Sequence, residues 1–180
     1  FNTAVSRPKA VMALQIGGEV SYNELAQLIG LDRATIQRYV SLLEQAYIIF
    51  HLPPFSRNLR KELAKLRKIY FNDLGVRNAV INNFNPLELR SDAGALWENY
   101  FISERVKRNH NRRRHVNTYF WRTYDGAEID LIEEAEGRLA GFECKWATTR
   151  WRVPGAFATA YPDATAQLVN RETYLDHLLS

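Results

Sequence analysis

Cysteine is nearly absent from this chain: Cys144 is the only one in 180 residues. One thiol excludes an internal disulfide and any cysteine-based zinc cluster, and it suits a reducing, cytoplasmic compartment. The four histidines (His51, His110, His115 and His177) are scattered, with no helical pair four residues apart. That spacing argues against a zinc site. No apolar run approaches the roughly 20 residues that a bilayer span requires, so no membrane partner is expected. There is no G-x-x-x-x-G-K-[ST] stretch, so the chain is not expected to cradle ATP phosphates itself. Internal repeats, low-complexity stretches and a secretory leader are also missing. The chain opens on Phe1-Asn2-Thr3 without a methionine, which reads as a piece of something longer.

What is present suffices for a folded protein. Hydrophobic residues make up 46% of the chain and aromatics 12%, enough for a real core. The length fits one domain or two small ones. Net charge is only +4, but the cations are grouped. Arg57, Arg60, Lys61, Lys65, Arg67 and Lys68 form one group. Arg105, Lys107 and Arg108 with Arg112, Arg113 and Arg114 form another. Acidic residues concentrate around 124–136, and positive flanks about an acidic centre suit a polyanionic partner.

The first 72 residues read as helices followed by a β-ribbon. An apolar helical pattern over 4–16 stops at Gly17-Gly18. Ser21-Tyr22-Asn23-Glu24 has the capping-box form, and Gly30 is a natural left-handed stop. Asp32 caps the next helix, about 33–46, which buries Ile36, Val40 and Leu43 and turns Arg33, Gln37 and Arg38 outward. Two helices joined by a short glycine-containing turn make a helix-turn-helix reading. Strands at 47–50 and 68–72 complete the ribbon. The region 1–72 resembles the winged-helix domains of DNA-binding regulators. That resemblance implies Arg33, Gln37 and Arg38 as nucleic-acid contacts.

Residues 73–180 read as a second domain. A short helix through Val76, Ala79 and Val80 precedes a longer one over 92–107, with Asp92 as its expected N-cap. Glu98 stands mid-helix among Leu96, Trp97, Tyr100 and Phe101, where an acid is costly unless it is paired. Asp125-Gly126 between runs rich in aromatic and β-branched residues is a strong hairpin signal and predicts a two-residue turn. It divides strands at 119–124 and 127–132. Period-2 alternation then places Glu128 and Asp130 on one face, with Ile129 and Leu131 on the other. By the same rule Glu143 and Lys145 share a face, with Cys144 turned into the apolar core and chemically inert. Aspartate, glutamate and lysine presented to one point by adjacent strands are the inventory of a divalent-metal phosphodiesterase site. A helix at 155–160, a strand at 166–170 and a helix at 173–179 finish the chain.

This order, α-β-β-β-α-β, resembles the PD-(D/E)xK nuclease superfamily with its restriction-endonuclease-like fold. The family's signature falls here on Glu98 in the helix, Asp130 on the second strand and Glu143-Cys144-Lys145 on the third. The resemblance implies Glu98, Asp130, Glu143 and Lys145 as catalytic residues. It implies Mg²⁺ (or Mn²⁺) bound by Asp130, Glu143, Glu98 and the main-chain carbonyl of Cys144, with Lys145 orienting the attacking water. Arg112, Arg113, Arg114 and Arg122 are then candidates for phosphate contacts.

Further segments carry a narrower resemblance: Ile69-Tyr70-Phe71-Asn72-Asp73-Leu74-Gly75, Gly94-Ala95-Leu96-Trp97-Glu98-Asn99, Trp121-Arg122-Thr123, Gly126-Ala127-Glu128-Ile129-Asp130 and Phe142-Glu143-Cys144-Lys145. Together they resemble the C-terminal part of a bacterial and archaeal AAA-type ATPase family. In that family an ATPase module precedes a winged helix and a nuclease-like domain. The resemblance implies the ATPase domain, absent from this chain, and DNA as partners, and leaves a homo-oligomer open. The fold expectation is α+β/α/β, a winged-helix domain over 1–72 and a nuclease-like mixed-sheet domain over 73–180. Two functions are weighed: a Mg²⁺-dependent DNA endonuclease, and a non-catalytic nucleic-acid-binding or interaction module coupled to the ATPase.

Overall fold

The computed structural model describes residue 13, residues 15–55 and residues 66–179. The helix expected over 4–16 falls almost wholly outside them, as do Arg57, Arg60, Lys61 and Lys65. The fold is mixed α+β with two sheets.

The first sheet has three antiparallel strands in the order β1-β3-β2. These are β1 (Glu19–Val20), β2 (Ile49–Leu52) and β3 (Arg67–Phe71). Two helices, α1 (Tyr22–Ile29) and α2 (Arg33–Gln45), lie between β1 and β2. Their ends form as local chemistry dictates. Ser21 and Glu24 satisfy each other's backbone amides in a complete capping box, and Gly30 closes α1 at φ 76°. Asp32 accepts from the amide and hydroxyl of Thr35. Tyr47 sits at φ 54°, so β2 begins later than the aromatic run suggests. Leu25, Ile36, Val40, Ile49, Ile69 and Phe71 form the core beneath, and α3 (Leu74–Val80) packs on it through Leu74 and Val80.

The second sheet has the order β4-β5-β6-β7, antiparallel except for the parallel pair β6/β7. Its strands are β4 (Asn117–Arg122), β5 (Glu128–Ala135), β6 (Arg138–Cys144) and β7 (Thr165–Val169). Helix α4 (Ala93–Asn111) precedes it, α5 (Gly155–Ala160) links β6 to β7, and α6 (Tyr174–Leu179) follows. The order of elements from residue 93 on is the one read from the sequence.

Local details differ from expectation. Asp92 stands at the cap of α4 but makes no capping bond, because its carboxylate is taken by Arg77 (2.5 Å) and Arg90 (2.8 Å). The β4–β5 turn has three residues, not two. Thr123 N donates to Ala127 O at 2.8 Å, and only Gly126 takes positive φ (85°), whereas a two-residue type I′ turn needs positive φ at both centres. Helix α4 continues to Asn111, so Arg105, Lys107 and Arg108 lie on it instead of ending it.

The most consequential departure is a bulge in β5. Tyr119 faces Ile132 and Trp121 faces Ile129, so the single residue Phe120 opposes both Asp130 and Leu131. Strict alternation fails there. Ile129 and Ile132 pack with Trp121 and Phe157, whereas Leu131 joins Phe101, Phe120 and Phe142 on the α4 side. Leu131 therefore shares the α4 face with Asp130. The bulge also leaves Phe120's main chain available to the first sheet. Phe120 N donates to Pro53 O at 3.0 Å, and Phe55 N donates to Phe120 O at 2.6 Å. Leu52 and Tyr70 of the first sheet are buried in one cluster with Trp97, Phe101, Phe120 and Leu131.

Candidate functional site: a charge cluster between two sheets

The cluster forms where β3 meets the start of α4 and the bulge of β5. Lys68 and Tyr70, two residues apart on β3, project toward α4. The Lys68 ammonium stands 2.8 Å from Asp130 Oδ1, 3.2 Å from Glu98 Oε1 and 4.0 Å from Glu128. Those first two contacts bound the separation of the Asp130 and Glu98 oxygens at 6.0 Å. Tyr70 donates its hydroxyl to the same Glu98 oxygen at 2.7 Å. Glu98 is thus the paired acid its aromatic setting requires. Asp130 Oδ2 accepts from the amide of Cys144 at 2.9 Å, which pins the aspartate across to β6.

Gly17 closes the cluster from above. Its amide donates to Ile69 O, its φ is 70°, and a Cβ there would lie 3.1 Å from Glu98 Oε1. A side chain at that position would meet the glutamate. Three groups of the first unit, Gly17, Lys68 and Tyr70, therefore surround one carboxylate of the second.

Glu143 stands on β6, where the charge of Asp130 bears on it. Phe142 and Cys144 pack with the α4-side core, and Glu143 alternates between them. Its Oε1 accepts from Lys145 Nζ at 2.7 Å, while Oε2 is buried and has no hydrogen-bond partner. Lys145 is about two-fifths exposed (41%) and forms the outer edge of the cluster. The Cys144 thiol is buried, as expected, and burial pushes its pKa well above the ordinary value.

The electrostatics reflect crowding of like charge. Burial, and then the charge of Asp130, raise the Glu98 carboxyl to about 7 against the pull of Lys68 and Tyr70. Burial and Asp130 likewise raise Glu143 to about 7. For Lys68, burial favours the neutral amine, but Glu98, Asp130 and Glu128 together outweigh it and hold the ammonium well above its usual range. Burial also raises the Tyr70 hydroxyl, so it remains a donor.

The residues present do not fit a divalent ion in this arrangement. Among the described residues no group of three or more histidine, cysteine, aspartate or glutamate side chains is placed to hold a metal. Lys68 already lies between the two carboxylates that would be ligands.

The remaining sequence candidates are dispersed. Arg33, Gln37 and Arg38 are exposed on α2. Arg122 pairs with Glu19 of β1. Arg112 donates to Leu179 O, Arg108 to Leu178 O and Arg105 to His177 O, so three turns of α4 grip the final carbonyls of α6. Arg105 also forms a two-pronged pair with Glu133, both contacts at 2.9 Å. Arg113 and Arg114 are exposed at the end of α4. Sequence reasoning named Lys68 only within a basic group, Tyr70 only within a family-like segment and Gly17 only as a helix stop, none of them as a site residue. The available signal was that Lys68 and Tyr70 share one face of β3, opposite Ile69 and Phe71.

Two family profiles match the chain, both for domains of unknown function. DUF8612 matches residues 4–87 and DUF4143 matches residues 93–174. Among curated proteins it resembles the uncharacterized proteins Mb2031c of Mycobacterium bovis and Rv2008c of Mycobacterium tuberculosis. Each is 31% identical over 128 residues, covering 70% of this chain and 28% of the relative. The chain thus spans under a third of the length of these relatives. No solved structure matches it. Among the described residues no helix is long and apolar enough to cross a membrane.

Proposed function

We propose that this chain is the C-terminal portion of an ATPase-family protein, a winged helix joined to a nuclease-like domain. In this reading it works as a nucleic-acid-binding or interaction module coupled to the ATPase, not as a Mg²⁺-dependent endonuclease. The observation that carries the reading is Lys68, whose ammonium lies 2.8 Å from Asp130 and 3.2 Å from Glu98. Mg²⁺ needs carboxylate oxygens free to enter a near-octahedral shell. Here those oxygens are engaged by an ammonium, a tyrosine hydroxyl and a backbone amide. The winged-helix assignment is supported by two helices between β1 and β2 and by the strand order β1-β3-β2. The nuclease-like assignment is supported by the order of elements from α4 to β7 and by the meeting of Glu98 and Asp130 on one ammonium.

DNA is the favoured nucleic acid, met by the exposed Arg33, Gln37 and Arg38 and by Arg113 and Arg114. Fluorescence anisotropy with duplex DNA tests this. Binding should weaken as salt rises, and the Arg33→Ala/Gln37→Ala/Arg38→Ala variant should weaken it further. Plasmid incubated with Mg²⁺ or Mn²⁺ should stay intact. Nicking that disappears in Asp130→Ala would sink the non-catalytic reading.

One observation favours the endonuclease as a second reading: the buried, unpartnered Oε2 of Glu143 beside a solvent-facing Lys145. The plasmid assay decides between the two.

A further inference from the structure

The second sheet has two edges, and the chain treats them differently. At β4 the edge is closed: Phe120 N donates to Pro53 O at 3.0 Å and Phe55 N donates to Phe120 O at 2.6 Å. At β7 it is open, since among the described residues β7 pairs only with β6. An uncovered edge is a template for another strand, and proteins commonly blunt one with charge or proline. Thr165-Ala166-Gln167-Leu168-Val169 carries neither. We propose that the β7 edge is a self-association surface, on which a second copy of this chain adds its own β7, antiparallel, about a two-fold axis at Gln167. The inference goes beyond the reading above and depends neither on DNA nor on the charge cluster.

The main chain sets the register. Lys145 N donates to Val169 O at 3.0 Å, so Val169 turns its main-chain groups toward β6. Alternation turns Gln167 and Thr165 the same way, and Ala166 and Leu168 outward. Beyond these two, the outward amides are already used. Ala164 N donates to Tyr161 O at 3.0 Å, and Asn170 N donates to Thr173 Oγ1 at 3.2 Å. Pairing two such edges therefore sets Ala166 opposite Leu168 of the second copy, and the reverse, joined through their amides and carbonyls. Gln167 falls opposite itself in a non-hydrogen-bonded pair, where side chains come closest. Thr165 and Gln167 are exposed, which leaves the approach open.

The flanks complement one another. Asp163 precedes the strand and Arg171 follows it. Both are exposed, with the Arg171 guanidinium 5.8 Å from the Trp146 ring. The same register brings Asp163 of each copy toward Arg171 of the other, whereas a parallel arrangement would set acid on acid and base on base. Five residues of edge make a small surface, so the association is weak and concentration-dependent.

Sedimentation velocity of the 180-residue chain over a concentration series at low salt tests this. Wild type should move from monomer toward dimer as concentration rises. Gln167→Lys, an exposed change that sets two ammonium groups face to face, should weaken the dimer about fivefold. Asp163→Arg should weaken it about tenfold, because two attractive pairs become repulsive, and Asp163→Arg/Arg171→Asp should restore it to within about twofold of wild type. Leu168→Pro removes an outward amide without losing a bond to β6 and should abolish the dimer. Circular dichroism checks folding; should Leu168→Pro not fold, Gln167→Lys and the charge exchange decide. Wild type that stays monomeric at every concentration overturns the proposal, and so does a dimer that Gln167→Lys leaves unchanged. A dimer that forms only on added duplex DNA belongs to the DNA-binding surface and overturns it too. Failure of the exchange to restore what Asp163→Arg removes would overturn the register.

Discussion

Two buried ion networks join α4 to β5, one through Glu133 and one through Asp130, and they are built on opposite plans. In one, Arg105 meets Glu133 with two parallel bonds, and Asn109 donates to the same carboxylate at 2.6 Å. One cation faces one anion, inside one unit, with every oxygen engaged. In the other, a single buried ammonium from β3 touches Glu98 and Asp130, and Glu143 on β6, which feels the Asp130 charge, has an oxygen with no partner. The first network is balanced and fixes α4 to β5. The second carries surplus negative charge and spans two sheets. Balanced buried pairs serve packing, whereas crowded like charges are the usual mark of a binding site.

The largest expected effect comes from removing either cation. Lys68→Met and Arg105→Met should each cost about 3–5 kcal/mol, since each strands a buried carboxylate. Urea midpoints measure this. Equal losses would not separate the networks, but repair would. Arg105→Met/Glu133→Gln should recover most of its loss, because the pair is complete in itself. Lys68→Met/Asp130→Asn should recover less, because Glu98 remains stranded. Full recovery in the second double variant would erase the contrast.

The pH dependence sharpens it next. Glu98 is raised from 4.5 to about 7 in the fold, so the native state holds its proton more tightly than the unfolded chain. Its contribution to stability is present below 4.5 and is lost as pH rises toward 7. Wild-type stability should therefore fall across that window, and Glu98→Gln should flatten the fall. A denaturation series at several pH values reads this, and a variant with the wild-type slope would contradict the assigned cause. Glu143, raised by burial and Asp130, predicts the same direction for Glu143→Gln.

The smallest effect is expected at Gly17. Gly17→Ala places a Cβ 3.1 Å from Glu98 Oε1 at φ 70°. The left-handed backbone costs about 1–2 kcal/mol, and the carboxylate must shift as well. Thermal melting measures the loss. The corresponding change at Gly137 (φ 74°), where nothing lies within 4 Å, should show the backbone cost without the shift. If the two match, Gly17 does not press on the cluster.

Local chemistry made much of this legible in the sequence. Capping at Ser21 and Asp32, the stop at Gly30 and the left-handed Gly126 each depend on neighbours within five residues. The acids at 98, 130 and 143 were legible through their spacing and a family resemblance. Lys68 was hidden because its meaning lies in Asp130, 62 residues away. Arg105 was read as part of a basic run suited to a polyanionic partner because nothing near it announces Glu133. The bulge escaped because alternation in Glu128-Ile129-Asp130-Leu131 looks regular until Phe120 is claimed by another sheet.

That claim on Phe120 bears on how such a chain can be inherited. The family matches divide between residues 87 and 93, as though two pieces had been joined. Yet Phe120 in the second bonds through its main chain to Pro53 and Phe55 in the first, and Tyr70 in the first is buried against Trp97 and Phe101 in the second. Recombination between diverged relatives at the junction would mismatch a backbone seam, a shared core and a bridging lysine at once. The two halves should therefore travel through evolution as one heritable unit, with changes at Lys68 answered by changes at Glu98 or Asp130.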